Sequence, residues 1–148
     1  MTQSFELEIS NLERLAVFRE AGRDALNALA FNADAVLFNP GDIIFRQGEE
    51  AHDAWLILSG DARVVCRHHE GHTSAAPVSP GMLAGETALF EESMRRSTLT
   101  AESTLCALRI TRSTFLRALG AYPDLAASVR RALCERLIVN ASAIRALL

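Results

Sequence analysis

Hydrophobic positions along this chain change period twice. Near the start, Leu12, Leu15, Ala16 and Phe18 recur at helical spacing behind Ser10-Asn11, a pair suited to capping. Leu26, Leu29 and Ala30 share one face of a second helical stretch from Arg23 to Phe31. From Ala33 to about Ile110 the pattern shortens. Val36, Phe38, Ile43, Ile44 and Phe45 are strand formers, and so are Trp55, Ile57 and Leu58. Ala62, Val64 and Cys66 alternate with Arg63, Val65 and Arg67, and Thr98 to Ala101 and Leu105 to Ile110 complete the strand set. Turn signals separate these runs: Asn39-Pro40-Gly41-Asp42, Gln47-Gly48-Glu49-Glu50, Ser59-Gly60-Asp61 and Pro80-Gly81. The polar stretch His68 to Ser79, with Gly71 and Pro77, reads as a hairpin loop. After Ile110 the helical period returns. Thr111 or Ser113 is placed to cap a helix carrying Phe115, Leu116 and Leu119, with Gly120 as its stop. Tyr122-Pro123-Asp124 opens another helix, with Leu125, Val129, Leu133, Leu137 and Ile138 along one side. Short strands punctuated by turns imply an antiparallel sandwich or barrel, here flanked by helices.

Length and composition narrow the picture. The chain has 148 residues, which suits one domain with an ordinary core. Hydrophobic residues make up 49% and charged residues 22%, the balance of a soluble globule. No apolar run approaches the ~20 residues needed to span a bilayer, and the acidic N-terminus is wrong for a secretory signal. A net charge of −3 argues against wholesale nucleic-acid binding. The three cysteines, Cys66, Cys106 and Cys134, form no Cys-x-x-Cys pair, so neither a disulfide framework nor a zinc site is indicated and a reducing cytoplasm is expected. His52, His68, His69 and His72 invite a metal-site reading, which is disfavoured because three lie in the polar hairpin stretch and adjacent strand residues face opposite sides. No Ser-His-Asp or Cys-His arrangement stands out, and no glycine-rich loop resembles a P-loop. Asp42, Asp53 and Asp61 lie in or near turns, where aspartate is structurally favoured.

One contiguous stretch carries chemistry. Gly85-Glu86-Thr87-Ala88-Leu89-Phe90-Glu91-Glu92-Ser93-Met94-Arg95-Arg96-Ser97 places a Gly-Glu turn, a short helical segment and an arginine pair in one loop. Amides at a helix start meet an anion, a guanidinium grips two phosphate oxygens, and a carboxylate accepts from a ribose hydroxyl. Together these groups hold a sugar phosphate, which marks a small-molecule sensor rather than a catalyst. Leu89 and Phe90 read as core.

The order of these motifs resembles the cyclic nucleotide-binding domain family over nearly the whole chain, from about Leu12 to the end. Phe38 to Glu49 looks like the family's first hairpin, Ala54 to Gly60 like its next strand and glycine turn, and Gly81 to Ser97 like its phosphate-binding cassette. The resemblance implies an α+β fold: a single domain over 1–148 with N-terminal helices in 1–32. An eight-stranded antiparallel jelly roll would span 33–110 and hold the cassette at 85–97, with C-terminal helices and a lid in 111–148. It implies cAMP, or else cGMP, as ligand and no cofactor, metal or catalysis. Direct nucleic-acid and membrane contacts are not expected. The output would pass to a homodimer partner or another effector protein.

Residue by residue, the resemblance puts Glu86 on the ribose 2′-hydroxyl and Gly85 where backbone must approach the ligand. Thr87 and Ala88 begin the short helix. Counting as in kinase and channel domains puts Arg95 on the phosphate; counting as in the bacterial activator puts Arg96-Ser97 there. The first register is preferred because it also aligns Thr98 to Ala101 without a gap. Ser97 lies near the position that reads a guanine in some members, and Met94 stands where many have proline. Val64, Leu83 and Leu99 are expected as apolar walls for the base. Leu133, Leu137, Ile138 and Arg145 are the expected lid, and the apolar tail 141–148 is expected to cover the nucleotide or a second copy. Three other readings stay open: the sensor half of a transcription regulator, a scaffold that has lost nucleotide binding, and a metal-dependent barrel enzyme.

Overall fold

The computed structural model describes residues 9–15 and 18–147, with side chains through Glu135. After a helical segment over 9–14 come α1 (Arg23–Phe31), β1 (Asp34–Phe38), β2 (Ile43–Phe45), β3 (Glu50–Ala51), β4 (Asp53–Ser59) and β5 (Ala62–Arg67). These are followed by β6 (Thr73–Val78), β7 (Leu83–Ala84), the one-turn α2 (Thr87–Phe90), β8 (Ser93–Met94), β9 (Thr98–Ala101) and β10 (Leu105–Thr111). Helices α3 (Arg112–Ala121) and α4 (Pro123–Leu147) close the order.

Eight strands form two four-stranded antiparallel sheets, β1-β10-β4-β7 and β2-β9-β5-β6, and β3 pairs with β8 in a small separate ribbon. The eight expected strands of the roll are thus joined by a two-stranded ribbon inside the loops. The first sheet lies in the middle of three layers. From β4, Trp55 and Ile57 pack toward the second sheet with Phe45, Leu99 and Ala101, while Ala54 and Leu56 pack toward the helices with Leu26, Leu29 and Phe115. Strand β10 divides likewise, with Leu105 and Ala107 on one side and Leu108 and Ile110 on the other. A strand covered on both faces needs an unbroken apolar run, which explains Ala54-Trp55-Leu56-Ile57-Leu58.

Local chemistry sets the element ends. Pro40 and Gly41 form the β1–β2 turn, closed by Asn39 N–H donating to Asp42 Oδ2 at 2.8 Å. The Thr111 hydroxyl accepts from Thr114 N–H at 3.2 Å and caps α3. Pro123 opens α4, where its missing N–H is harmless.

Three local expectations need correction. Ser10 and Asn11 lie within the helical segment over 9–14 rather than capping it, and Ile9 before them is already core. Helix α3 runs through Gly120 to Ala121; Pro123 imposes the stop, because the residue before proline disfavours helix. The stretch 68–79 is not all loop. Thr73–Val78 is strand, paired along its length with β5 from Ala62↔Val78 to Arg67↔Thr73. It is an edge strand with five of its six residues exposed, so it carries no apolar alternation, and the edge tolerates Pro77.

Phe115 lies where the helical core meets the cassette. It is fully buried, 5.4 Å from the Phe90 ring of α2 and 6.3 Å from Phe18 between centroids. Phe115→Ala should cost roughly 3–5 kcal/mol of folding stability, seen as a lower denaturation midpoint in urea, because the cavity is closed in by three elements.

Candidate functional site

The cassette folds as a turn, one helical turn and a strand that delivers one arginine into the protein. Gly85 has φ +74°, a conformation costly for any residue with a side chain. Helix α2 follows, with Ala88 N–H donating to Gly85 O at 3.1 Å and Leu89 N–H to Glu86 O at 3.0 Å. Strand β8 then pairs Met94 with Glu50. The pairing continues one residue further: Arg95 N–H donates to Glu49 O at 2.7 Å and Gly48 N–H to Arg95 O at 2.9 Å. Alternation along this ribbon leaves Met94 exposed and buries Arg95.

The Arg95 side chain is only 5% exposed. Its guanidinium lies 4.1 Å from the Phe45 ring centroid, in cation–π contact, and Nη2 donates to Asp53 Oδ1 at 2.5 Å. Asp53 is shared. Its Oδ2 accepts from Arg109 Nε at 2.7 Å, and Oδ1 also accepts from Trp55 Nε1 at 3.0 Å. Burial pulls the Arg95 pKa below the usual arginine range; the Asp53 carboxylate opposes that shift by charge and by hydrogen bond. Arg95 Nη1 is buried and has no partner. It points at Gly85, where even a Cβ would collide with it.

A cavity of about 270 Å³ lies beside this side chain, with Arg95 among its lining residues. Of the residues singled out in the sequence, Val64, Leu83, Gly85, Thr87, Ala88, Arg95, Arg96 and Ser97 line it. Arg96 lies on its rim, exposed, whereas Arg95 is its buried cation. Glu86 is half-buried beside it but is not a lining residue. Leu99 is core beneath the wall, and Leu89 packs into the helical core. Leu133 rests against the helical core and not on the cavity, while the side chains of Leu137, Ile138 and Arg145 and the tail lie outside the described ones.

Sequence reasoning gave no ligand role to the remaining wall: Phe45, Ala51 and Val78 from outside the cassette motif, and Met82, Ala84, Ser93 and Met94 from within it. It also misread Asp53, which is no turn residue but opens β4 and is buried. The available signal was its position two residues before Trp55 at the head of a buried apolar run, where a carboxylate must have a partner. Cys66 and His68 do meet, at 4.0 Å, with His68 Nε2 2.7 Å from Ser74 Oγ, on the β5–β6 hairpin outside the cavity. Among the described residues no group of His, Cys, Asp and Glu is placed to hold a metal, and no helix is long and apolar enough to cross a membrane.

Sheet order, cassette and buried arginine define a ligand-binding jelly roll. Residues 35–122, more than half the chain, match the description "Cyclic nucleotide-binding domain", and the chain belongs to that family. It is 30% identical over 127 residues to a cAMP-dependent protein kinase regulatory subunit of Blastocladiella emersonii, covering 84% of this chain and 30% of that protein. It is 30% identical over 101 residues to the acetyltransferase Pat of Mycolicibacterium smegmatis, covering 68% and 30%. The chain thus spans about a third of the length of these curated relatives. Among solved structures it is similar to a cyclic nucleotide-binding-like protein from Brucella abortus, with 31% identity and a TM-score of 0.69 over 76% of this chain and 97% of that one.

The shared carboxylate gives a test of the site's construction. Asp53→Ala would leave Arg95 buried without its counter-charge and should destabilise the protein by about 3–5 kcal/mol in urea unfolding. Asp53→Asn, which keeps an acceptor oxygen for a guanidinium and for Trp55, should cost less. Equal, small effects for both would show that the pair contributes little.

Proposed function

We propose that this chain is a receptor for a 3′,5′-cyclic nucleotide, with cAMP its ligand, and not an enzyme. The observation that carries this reading is the unpartnered, buried Nη1 of Arg95 beside Gly85. Leaving such a donor unsatisfied costs more than a typical hydrogen bond gains. A bound phosphodiester monoanion gives that donor a charged acceptor. Arg95 then holds the phosphate, and Arg96 contributes from the rim. Phe45, Val64, Val78 and Leu83 offer the base apolar walls, and Glu86 takes the ribose hydroxyl as the cassette closes. The C-terminal helix is the element that would cover the base. A ligand that binds the closed arrangement better than the open one shifts the population of helix positions. That shift is the signal passed to a partner chain or to fused sequence in the cytoplasm.

Two measurements test the reading. Saturating cAMP should raise the melting temperature, since a hundredfold excess over Kd stabilises by about 2.7 kcal/mol. The single tryptophan should report the same event in its emission, because Trp55 Nε1 shares Asp53 Oδ1 with Arg95. No response to either cAMP or cGMP would remove the receptor reading.

Arg95→Ala should weaken cAMP binding by roughly 2–5 kcal/mol, as expected for a buried charge contact, and Arg96→Ala far less. The reverse order in a calorimetric titration would assign the phosphate to Arg96.

A further inference from the structure

The cavity is tied to the helices through a residue outside the cassette. We propose that Arg112 is the positioning residue that couples cavity closure to α3 and α4. Arg112 is the first residue of α3, directly after β10. Its Nε donates to Ala88 O of α2 at 2.6 Å, and its Nη2 donates to Ala51 O of β3 at 2.6 Å and to Glu91 O at 3.2 Å. Its own N–H donates to His52 O at 2.9 Å. Both Ala51 and Ala88 line the ligand cavity. A second recess, about 470 Å³, lies against Arg112 and shares Ala51, Ser93 and Met94 with that cavity. The β3–β8 ribbon therefore separates ligand space from Arg112, and Arg112 grips its rear.

The acceptors decide what this contact can do. They are backbone carbonyls from three places, not a carboxylate, so the contact responds to the positions of main-chain atoms. A guanidinium holds its donors in a rigid plane and fits one relative placement of those carbonyls. An ammonium is a compact point charge with no such plane. If α2 moves toward a bound phosphate, Ala88 O moves with it, and Arg112 must follow or lose the bond. Because Arg112 is itself the first turn of α3, following means moving that helix, and α4 begins just beyond Tyr122.

The coupling rests on the cyclic-nucleotide reading above, and the experiment separates the two. Amide hydrogen exchange by mass spectrometry is compared with and without cAMP in the full chain and in Arg112→Gln, Arg112→Lys and Arg117→Ala. Arg117 is an exposed arginine on the same helix. In the unsubstituted chain and in Arg117→Ala, cAMP should slow exchange at 85–97 and at 112–130 together. In Arg112→Gln it should slow 85–97 only, and cAMP affinity should fall by about 5- to 150-fold, the range of ordinary allosteric coupling. Arg112→Lys should resemble Arg112→Gln, and it carries the test if the glutamine variant does not fold. Retained protection at 112–130 in these variants, or full rescue by lysine, overturns the proposal. If cAMP protects nothing in the unsubstituted chain, the cAMP reading fails, and Arg112 is judged on the ligand-free proteins. There its loss should speed exchange at both 87–94 and 112–121 while Arg117→Ala does not; unchanged exchange at either segment overturns the coupling.

Discussion

A guanidinium held almost out of water is the constraint around which this domain is arranged. Arg95 is hydrogen-bonded to one carboxylate, Asp53, on which Arg109 and Trp55 also draw, and Glu49 adds a further negative charge. The surroundings read as conditions for keeping that cation in place. The β3–β8 ribbon turns Arg95 inward and Met94 outward, Phe45 lies beneath the guanidinium, and Gly85 yields the volume that Nη1 occupies. Burial disfavours the charge, as the depressed pKa shows, yet an arginine stays protonated at neutral pH. Asp53 and Glu49 offset that cost in part, and in the proposed function a bound phosphate offsets more of it. A site that leaves one donor unmatched binds its missing partner with a gain unavailable to a surface arginine, whose ion pairs contribute about 0–1 kcal/mol.

How much of this was legible in the residues follows from sequence distance. The cassette from Gly85 to Ser97 is contiguous, so its turn, helix and arginine could be read together, and eight of the ten residues singled out for the pocket itself, all but Glu86 and Leu99, line one cavity. Asp53 was not legible as the arginine's partner because 42 residues separate them and they meet through tertiary pairing, including that of β3 with β8. Phe45 and Val78 come from strands whose inward faces were readable, but nothing local says which inward residues border a cavity and which border core. The β6 edge strand was missed for a different reason. Its solvated face gives no period-2 alternation, and Pro77 reads as a breaker unless the strand is known to lie at an edge. The two registers for the arginines could not be separated by counting. Burial separates their environments: Arg95 continues the ribbon pairing and is buried, whereas Arg96 follows in a bend and is exposed.

The layering explains why an event at Arg95 need not travel far. Strand β10 is covered on both faces, so it is a poor candidate for movement, and it ends directly in Arg112. Strand β4 beside it carries Asp53 and pairs with β10 at Thr111. The cation's counter-charge and the root of the C-terminal helices therefore sit at the same end of the same rigid sheet. What borders that end on the outside is short: a two-residue strand on each side of the ribbon and a single turn of helix. Elements of this size contribute few buried contacts of their own and draw stability from what they touch. On one side they touch the cavity; on the other, Phe90 meets Phe115 and Ala88 O meets Arg112. A short segment between the pocket and a packed helix pair is the part whose position a ligand can change at least cost; Leu89 ties it to the core, and Phe90 and Ala88 O tie it to α3.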